Sequence, residues 1–260
     1  IFKIITTAAG LNNGFDPSST LTGSNVITLP DTVTELTNYA NQKCNGQDAV
    51  TLQTAFALSC NTAFVEMSEQ LGADELRKYA KAFGVGENYD LGVSTSAGTL
   101  GDLPDGAATA QSAIGQRDVT MTALQAAVMA GTVANKGTRM QPYLVNRITN
   151  AQMKDIRTTK PKKAEQAVNE ETAATLTDLM YASERSSAGY DGNGFASKTG
   201  TAEHGEGLAP HVWYVAFDPE RDIAVGVVVK NGGNLGESAT GGKVSGPIGR
   251  AILRAYQGEQ

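Results

Sequence analysis

Three observations in the sequence predict an α+β fold, with a central antiparallel sheet flanked by helices. Strand-like segments at 195–204, 212–218 and 223–230 follow one another in the last third. The tight Asp218-Pro219-Glu220-Arg221-Asp222 turn makes the last two pair antiparallel. Upstream, apolar residues recur at helical spacing in 51–83, 121–134 and 170–185. Strands grouped together, rather than alternating with helices, separate this pattern from a doubly wound α/β fold.

Residues 1–11 are apolar and Ala/Thr-rich, and Asn12-Asn13-Gly14 closes them as a helix C-terminus. Residues 15–50 are rich in Ser, Thr, Asn, Gly and Pro and read as a long surface excursion. Such excursions are commonly functional in compact domains. In 51–83, Leu52, Ala55, Phe56 and Leu58 share a helical face, with Thr51 as cap. A break follows at Ser59-Cys60-Asn61. The periodicity resumes at Phe64, Val65, Met67 and Leu71, stops at Gly72, and continues over 73–83. Composition over 84–112 returns to that of a loop. Residues 121–134 form a core helix, and 143–160 a strand pair or irregular hairpin. Lys154, Arg157, Lys160, Lys162 and Lys163 make a solvated basic turn there. Residues 170–185 are an amphipathic helix with Ala173, Leu176, Leu179 and Met180 inward, and 247–256 close the chain as a helix.

Composition narrows the function. Of 260 residues, 40% are hydrophobic and 18% charged, which fits a globular chain and not a disordered one. A net charge of -6 argues against a nucleic-acid partner. Two cysteines and two histidines leave little for a zinc site, and neither metal nor cofactor is expected. No apolar run approaches the ~18 residues of a membrane span. The Gly-rich stretch 232–246 is not a phosphate loop, because Glu237 stands where the first glycine must precede Lys243.

Candidate chemistry lies where local structure changes. Ser59-Cys60-Asn61 sits between two helices, placing a hydroxyl and an amide at a cleft. Lys198-Thr199-Gly200-Thr201 sits in a strand. Glycine inside a strand marks close approach by a ligand or another backbone. One cation and two hydroxyls along a sheet edge suit the carboxylate of an extended peptide.

Ser-x-Asn between helices, followed by Lys-Thr-Gly on a strand ahead of two more strands and a helix, resembles the penicillin-recognising serine transferases and hydrolases. Their signature is Ser-x-x-Lys, Ser-x-Asn and Lys-Thr-Gly in that order. The likeness extends through Ser59-Cys60-Asn61-Thr62-Ala63-Phe64, Ile114-Gly115-Gln116, Lys198-Thr199-Gly200-Thr201-Ala202-Glu203-His204-Gly205, His211-Val212-Trp213-Tyr214 and Ala239-Thr240-Gly241-Gly242. These segments are similar to penicillin-binding protein transpeptidase domains, most of all to actinobacterial class B members. The whole of 1–260 is covered as one such domain.

The resemblance implies a β-lactamase/transpeptidase-like sheet. It makes Lys3 the lysine of Ser-x-x-Lys, so the nucleophilic serine falls one position before Ile1. The family's first strands also belong upstream, which makes 1–260 an N-terminally incomplete domain. The implied activity is peptidoglycan D,D-transpeptidation through a serine acyl-enzyme, the target of β-lactams. Lys3, one helical turn from the serine, would take its proton once burial and a nearby cation lower its pKa. Lys198 would supply the cation, Ser59 relay a proton and Asn61 orient the lysine or the substrate. Lys198, Thr199 and Thr201 would hold the stem-peptide carboxylate beside Gly200. The Thr201 N–H, with that of the serine, would form the oxyanion hole. A histidine triad is disfavoured, since His204 and His211 lie far from Lys3 and Ser59 in sequence.

The implied site faces an oxidising compartment, where Cys44 and Cys60 would pair and tie the 15–50 excursion to the site. The expected location is the extracytoplasmic face of the membrane, anchored by an upstream segment. Expected partners are stem peptides, β-lactams and other cell-wall synthesis or division proteins. A β-lactam-sensing domain, a β-lactamase-like hydrolase and a D,D-carboxypeptidase share the same motifs and remain alternatives.

Overall fold

The computed structural model describes residues 1–205 and 207–258. Helix α1 (Lys3–Leu11) is buried from Lys3 to Gly10. A helix apolar on nearly all sides belongs inside a core, and α1 lies between α3 (Asn61–Ala82) and α6 (Glu170–Ser186).

The 15–50 excursion folds as small paired strands. β1 (Thr20–Thr22) pairs antiparallel with β4 (Ala49–Thr51), and the hairpin β2 (Val26–Thr28)–β3 (Glu35–Thr37) lies between them. Buried Asn38 stitches it to the body. Its Nδ2 donates to the Ser24 carbonyl at 2.9 Å and to Thr62 Oγ1 at 3.1 Å, and its Oδ1 accepts from the Thr62 N–H at 3.1 Å.

Helix α2 (Leu52–Leu58) starts where expected. The Thr51 hydroxyl accepts from the Thr54 N–H, satisfying an otherwise unpaired helix N–H. It stops at Ser59, whose φ of 61° is left-handed. α3 then runs to Ala82, with Gly72 breaking it at φ 75°. The loop-like 84–112 departs from expectation, because α4 (Gly106–Ala113) occupies its end, capped by the Asp105 side chain. Its Gly, Ala, Ser and Thr content carries little apolar periodicity, so the cap is its main sequence signal. α5 (Ala123–Ala134) opens with a reciprocal capping box between Thr122 and Gln125.

The expected hairpin is β6 (Arg147–Thr149) against β7 (Asp155–Thr158), beside a further pair, β5 (Thr138–Met140) with β8 (Lys163–Gln166). Lys154, Arg157, Lys160, Lys162 and Lys163 are all exposed. α6 carries Glu170 and Glu171 in its first turn and Arg185 in its last, matching the helix dipole.

The central sheet is antiparallel, in the order β11 (Ile223–Val229), β10 (His211–Asp218), β9 (Ala196–Ala202). β10 alternates between two cores. Val215 and Phe217 join the main core with α5 and α6, while Tyr214 and Ala216 face the closing helix α7 (Ser245–Gly258) with Phe195 and Leu253. Gly226 on β11 allows α5 to approach, since a Cβ there would lie 2.3 Å from the Ala123 carbonyl oxygen. β9 is an edge strand among the described residues. No helix among them is long and apolar enough to cross a membrane, and no cluster of three or more His, Cys, Asp or Glu could hold a metal.

Candidate active site

The left-handed turn at Ser59 joins α2 to α3, and α3 packs against α1. Buried Lys3 points into that junction. Its Nζ donates to Asn61 Oδ1 at 2.7 Å, to the Ser59 carbonyl at 3.1 Å and to Ser59 Oγ at 3.2 Å. Residues 56 and 58 positions apart in sequence thus form one cluster. Asn61 is held from behind, its Nδ2 donating to the Thr37 carbonyl at 3.0 Å. The excursion therefore orients the amide at its far end. Its tie to the site is covalent as well, since Cys44 and Cys60 form a disulfide with Cα atoms 5.7 Å apart.

Lys198 extends from β9 into the same interior and is wholly buried. Its Nζ donates to the Thr199 carbonyl at 3.1 Å and lies 5.7 Å from the centre of the Phe56 ring. Burial pushes its pKa down to about 7. Lys3 is held well below the ordinary lysine value, first by burial and then by the charge of Lys198. Its ammonium lies 5.6 Å from the Phe64 ring centre. Among the described residues no carboxylate hydrogen-bonds to either lysine, and the charge of Lys198 disfavours protonation of Lys3. A lowered pKa makes the Lys3 amine more readily available as the free base that a proton acceptor requires.

Thr199, Gly200 and Thr201 lie half-exposed on the β9 edge. Gly200 stands where another backbone and a tryptophan side chain arrive. A Cβ there would lie 2.9 Å from the Ile1 backbone nitrogen and 3.2 Å from Trp213 Cβ. The turn before α7 also closes on this point, with the Gly241 N–H donating to Thr201 Oγ1 at 3.4 Å. The Ile114-Gly115-Gln116 turn seats Gly115 against Phe2 at the head of α1.

His204 and His211 make no hydrogen bond to Lys3, Ser59, Asn61 or Lys198, and their tilted rings meet with centroids 4.1 Å apart. His204 Nε2 lies 3.0 Å from the Ala209 carbonyl oxygen, and the Asn231 N–H donates to His211 Nδ1 at 3.1 Å. All three hydrogen-bond acceptors of Lys3 are supplied by Ser59 and Asn61. An open cleft of about 400 Å³ lined by Pro30, Asp31, Glu69, Gly72 and Asp105 contains none of the motif residues.

The sequence reading did not single out Phe56 and Phe64 as site walls, nor the Thr37 carbonyl. The two rings fall on the apolar helix faces that any core would use. A backbone carbonyl has no sequence signal of its own.

Residues 1–254 match the family model described as the penicillin binding protein transpeptidase domain. The chain is 44% identical over 263 residues to the peptidoglycan D,D-transpeptidase PbpA of Mycolicibacterium smegmatis, covering 98% of this chain and 53% of that protein. Among solved structures it is similar to the ceftriaxone acyl-enzyme complex of Mycobacterium tuberculosis penicillin-binding protein A, with TM-score 0.93 and 41% identity. That match covers 98% of this chain and 59% of the other. The penicillin G acyl-enzyme complex of the same protein matches with TM-score 0.92 and 42% identity, covering 98% and 60%. The chain spans about half the length of the curated relatives it matches. Sequence, fold and motif order agree, and the chain belongs to the penicillin-binding protein transpeptidase family.

Proposed function

We propose that residues 1–260 are the greater part of one D,D-transpeptidase domain that cross-links peptidoglycan stem peptides and is acylated by β-lactams. The observation that carries this reading is the buried Lys3 amine, bonded to both Ser59 and Asn61 and lowered in pKa beside Lys198. The nucleophile is a serine immediately before Ile1, three residues ahead of Lys3. Neutral Lys3 accepts the serine proton as Oγ bonds to the carbonyl carbon of the penultimate D-Ala. Ser59 passes a proton to the departing D-Ala amine as the peptide bond breaks. Lys198, Thr199 and Thr201 hold the terminal carboxylate, and the Thr201 and serine N–H groups stabilise the oxyanion. An amine of a second stem peptide then attacks the acyl-enzyme, forming the cross-link and releasing the serine. The domain works on the extracytoplasmic face of the membrane, anchored upstream, with other cell-wall synthesis or division proteins as partners.

The test gives the full-length protein a D-Ala-D-Ala peptide thioester together with an amine acceptor. The expected result is transfer to the acceptor and a penicilloyl adduct that outlasts many turnovers. Hydrolysis alone would make the domain a carboxypeptidase. Rapid loss of the penicilloyl group would make it a β-lactamase, and acylation without transfer or hydrolysis a sensor.

A further inference from the structure

We propose that Glu184 and Arg250 are positioning residues that set the geometry of the β9 edge, an inference resting on the reading of Thr199 and Thr201 as a carboxylate receptor. Both side chains are buried. The Glu184 carboxylate accepts from Arg250 Nε at 2.6 Å, Asn193 Nδ2 at 2.9 Å, the Tyr214 hydroxyl at 3.0 Å, and the Ser197 hydroxyl. Those donors come from α7, the α6–β9 connection, β10 and β9. Burial alone raises the carboxyl's pKa, and the hydrogen bonds from Arg250, Ser197 and Asn193 outweigh it, keeping the group charged.

The placement of these bonds gives the hub its bearing on the site. Side chains two apart on a strand share a face, so Ser197, Thr199 and Thr201 stand in one row on β9. Tyr214 is the cross-strand partner of Thr199. Glu184 thus grips the residue before Lys198 and the residue opposite Thr199. A second route leaves from Arg250, which donates to the Ser187 hydroxyl and, from Nη1, to the Ala188 carbonyl at 3.0 Å. Gly242 packs on Ala188, and the neighbouring Gly241 carries the N–H that meets Thr201 Oγ1. Ser245 Oγ closes that turn by donating to the Gly241 carbonyl at 3.0 Å. Both threonines are therefore braced from the same buried ion pair. Buried ion pairs often add little stability over apolar replacements. A fully satisfied network does specify one arrangement of the elements it joins, which is what a two-point carboxylate receptor requires.

Acylation of the full-length protein by a D-Ala-D-Ala-type thioester with a free terminal carboxylate is compared with that by its carboxamide. The comparison is made in wild type, Ser197→Ala and Glu184→Gln. The wild type is expected to prefer the free carboxylate. Both variants are expected to lose about tenfold of that preference through the free-carboxylate substrate. Ser197→Ala removes one hydroxyl, so it carries the test should Glu184→Gln fail to fold. A preference unchanged in Ser197→Ala, or two substrates slowed in equal proportion, would overturn the hub. A wild type with no preference would instead overturn the carboxylate reading of Thr199 and Thr201, and the hub with it.

Discussion

Replacing Cys44 and Cys60 together by alanine removes a bridge across a sequence separation of 16. In the chain-entropy model, closing a loop of that size costs the unfolded chain about 10 cal/mol/K, or about 3 kcal/mol at 25 °C. Both cysteines are buried, so the double substitution avoids stranding a lone thiol in the core. The expected loss in urea unfolding is therefore about 3 kcal/mol, with the slope against denaturant little changed if the unfolded chain exposes the same surface. Activity should suffer less, because the local turn has other restraints. The Ser59 N–H still donates to the Phe56 carbonyl, the Cys60 N–H position to the Ala55 carbonyl, and Asn61 to the Thr37 carbonyl. Penicillin acylation in the folded variant should stay within about tenfold of wild type, since no hydrogen bond of the Lys3 cluster is removed. Unchanged stability would refute the loop argument. A collapse of acylation in a well-folded variant would refute the claim that these remaining hydrogen bonds hold the turn at Ser59.

Three further outcomes follow from individual contacts. Asn61→Ala strips the buried Lys3 amine of its shortest hydrogen bond. Lys3 becomes an ammonium as it takes the serine proton, and bonds to charged groups are worth about 1.5–3 kcal/mol, so stopped-flow acylation should slow about 10- to 150-fold. Lys198→Met removes the cation that helps depress Lys3, so the acid limb of the acylation pH profile should move to higher pH. The pKa of Lys198 itself falls from 10.5 to about 7 on folding. The unfolded chain thus takes up a proton across that window that the folded chain does not, and this group lowers stability as pH falls from 10.5 to about 7. Urea unfolding should show the stability gained by Lys198→Met over wild type to be greater at pH 7 than at pH 9. Gly226→Val would drive a side chain into the α5 backbone at Ala123 and Ala127. Overpacking of this kind costs about 1–3 kcal/mol or more, to be read as a lowered denaturation midpoint.

Legibility in the sequence followed the range of the interaction. The Thr51 cap, the break at Gly72 and the meander from β9 to β11 each depend on neighbours close in the chain, and periodicity with turn chemistry locates them. α4 escaped because small residues leave no apolar stripe, although Asp105 caps it. β5 and β8 are three- and four-residue strands that meet around a bulge, too short for an alternating pattern. The contact of Lys3 with Ser59 and Asn61 spans more than fifty positions, and it became legible through the order of three motifs and not through local chemistry. Glu184 and Arg250, 66 positions apart, look like ordinary charges on two amphipathic helices. Only the packing of α6 and α7 around β9 and β10 reveals them as one buried pair.

Lys3 is proposed to activate the serine three positions ahead of it, immediately before Ile1. Peptide mapping by mass spectrometry of the full-length protein after penicillin labelling tests this most directly. The expected result is one penicilloyl group, on the serine immediately before Ile1, and its loss in Lys3→Ala. An adduct on Ser59 or elsewhere, or acylation at an undiminished rate in Lys3→Ala, would contradict it.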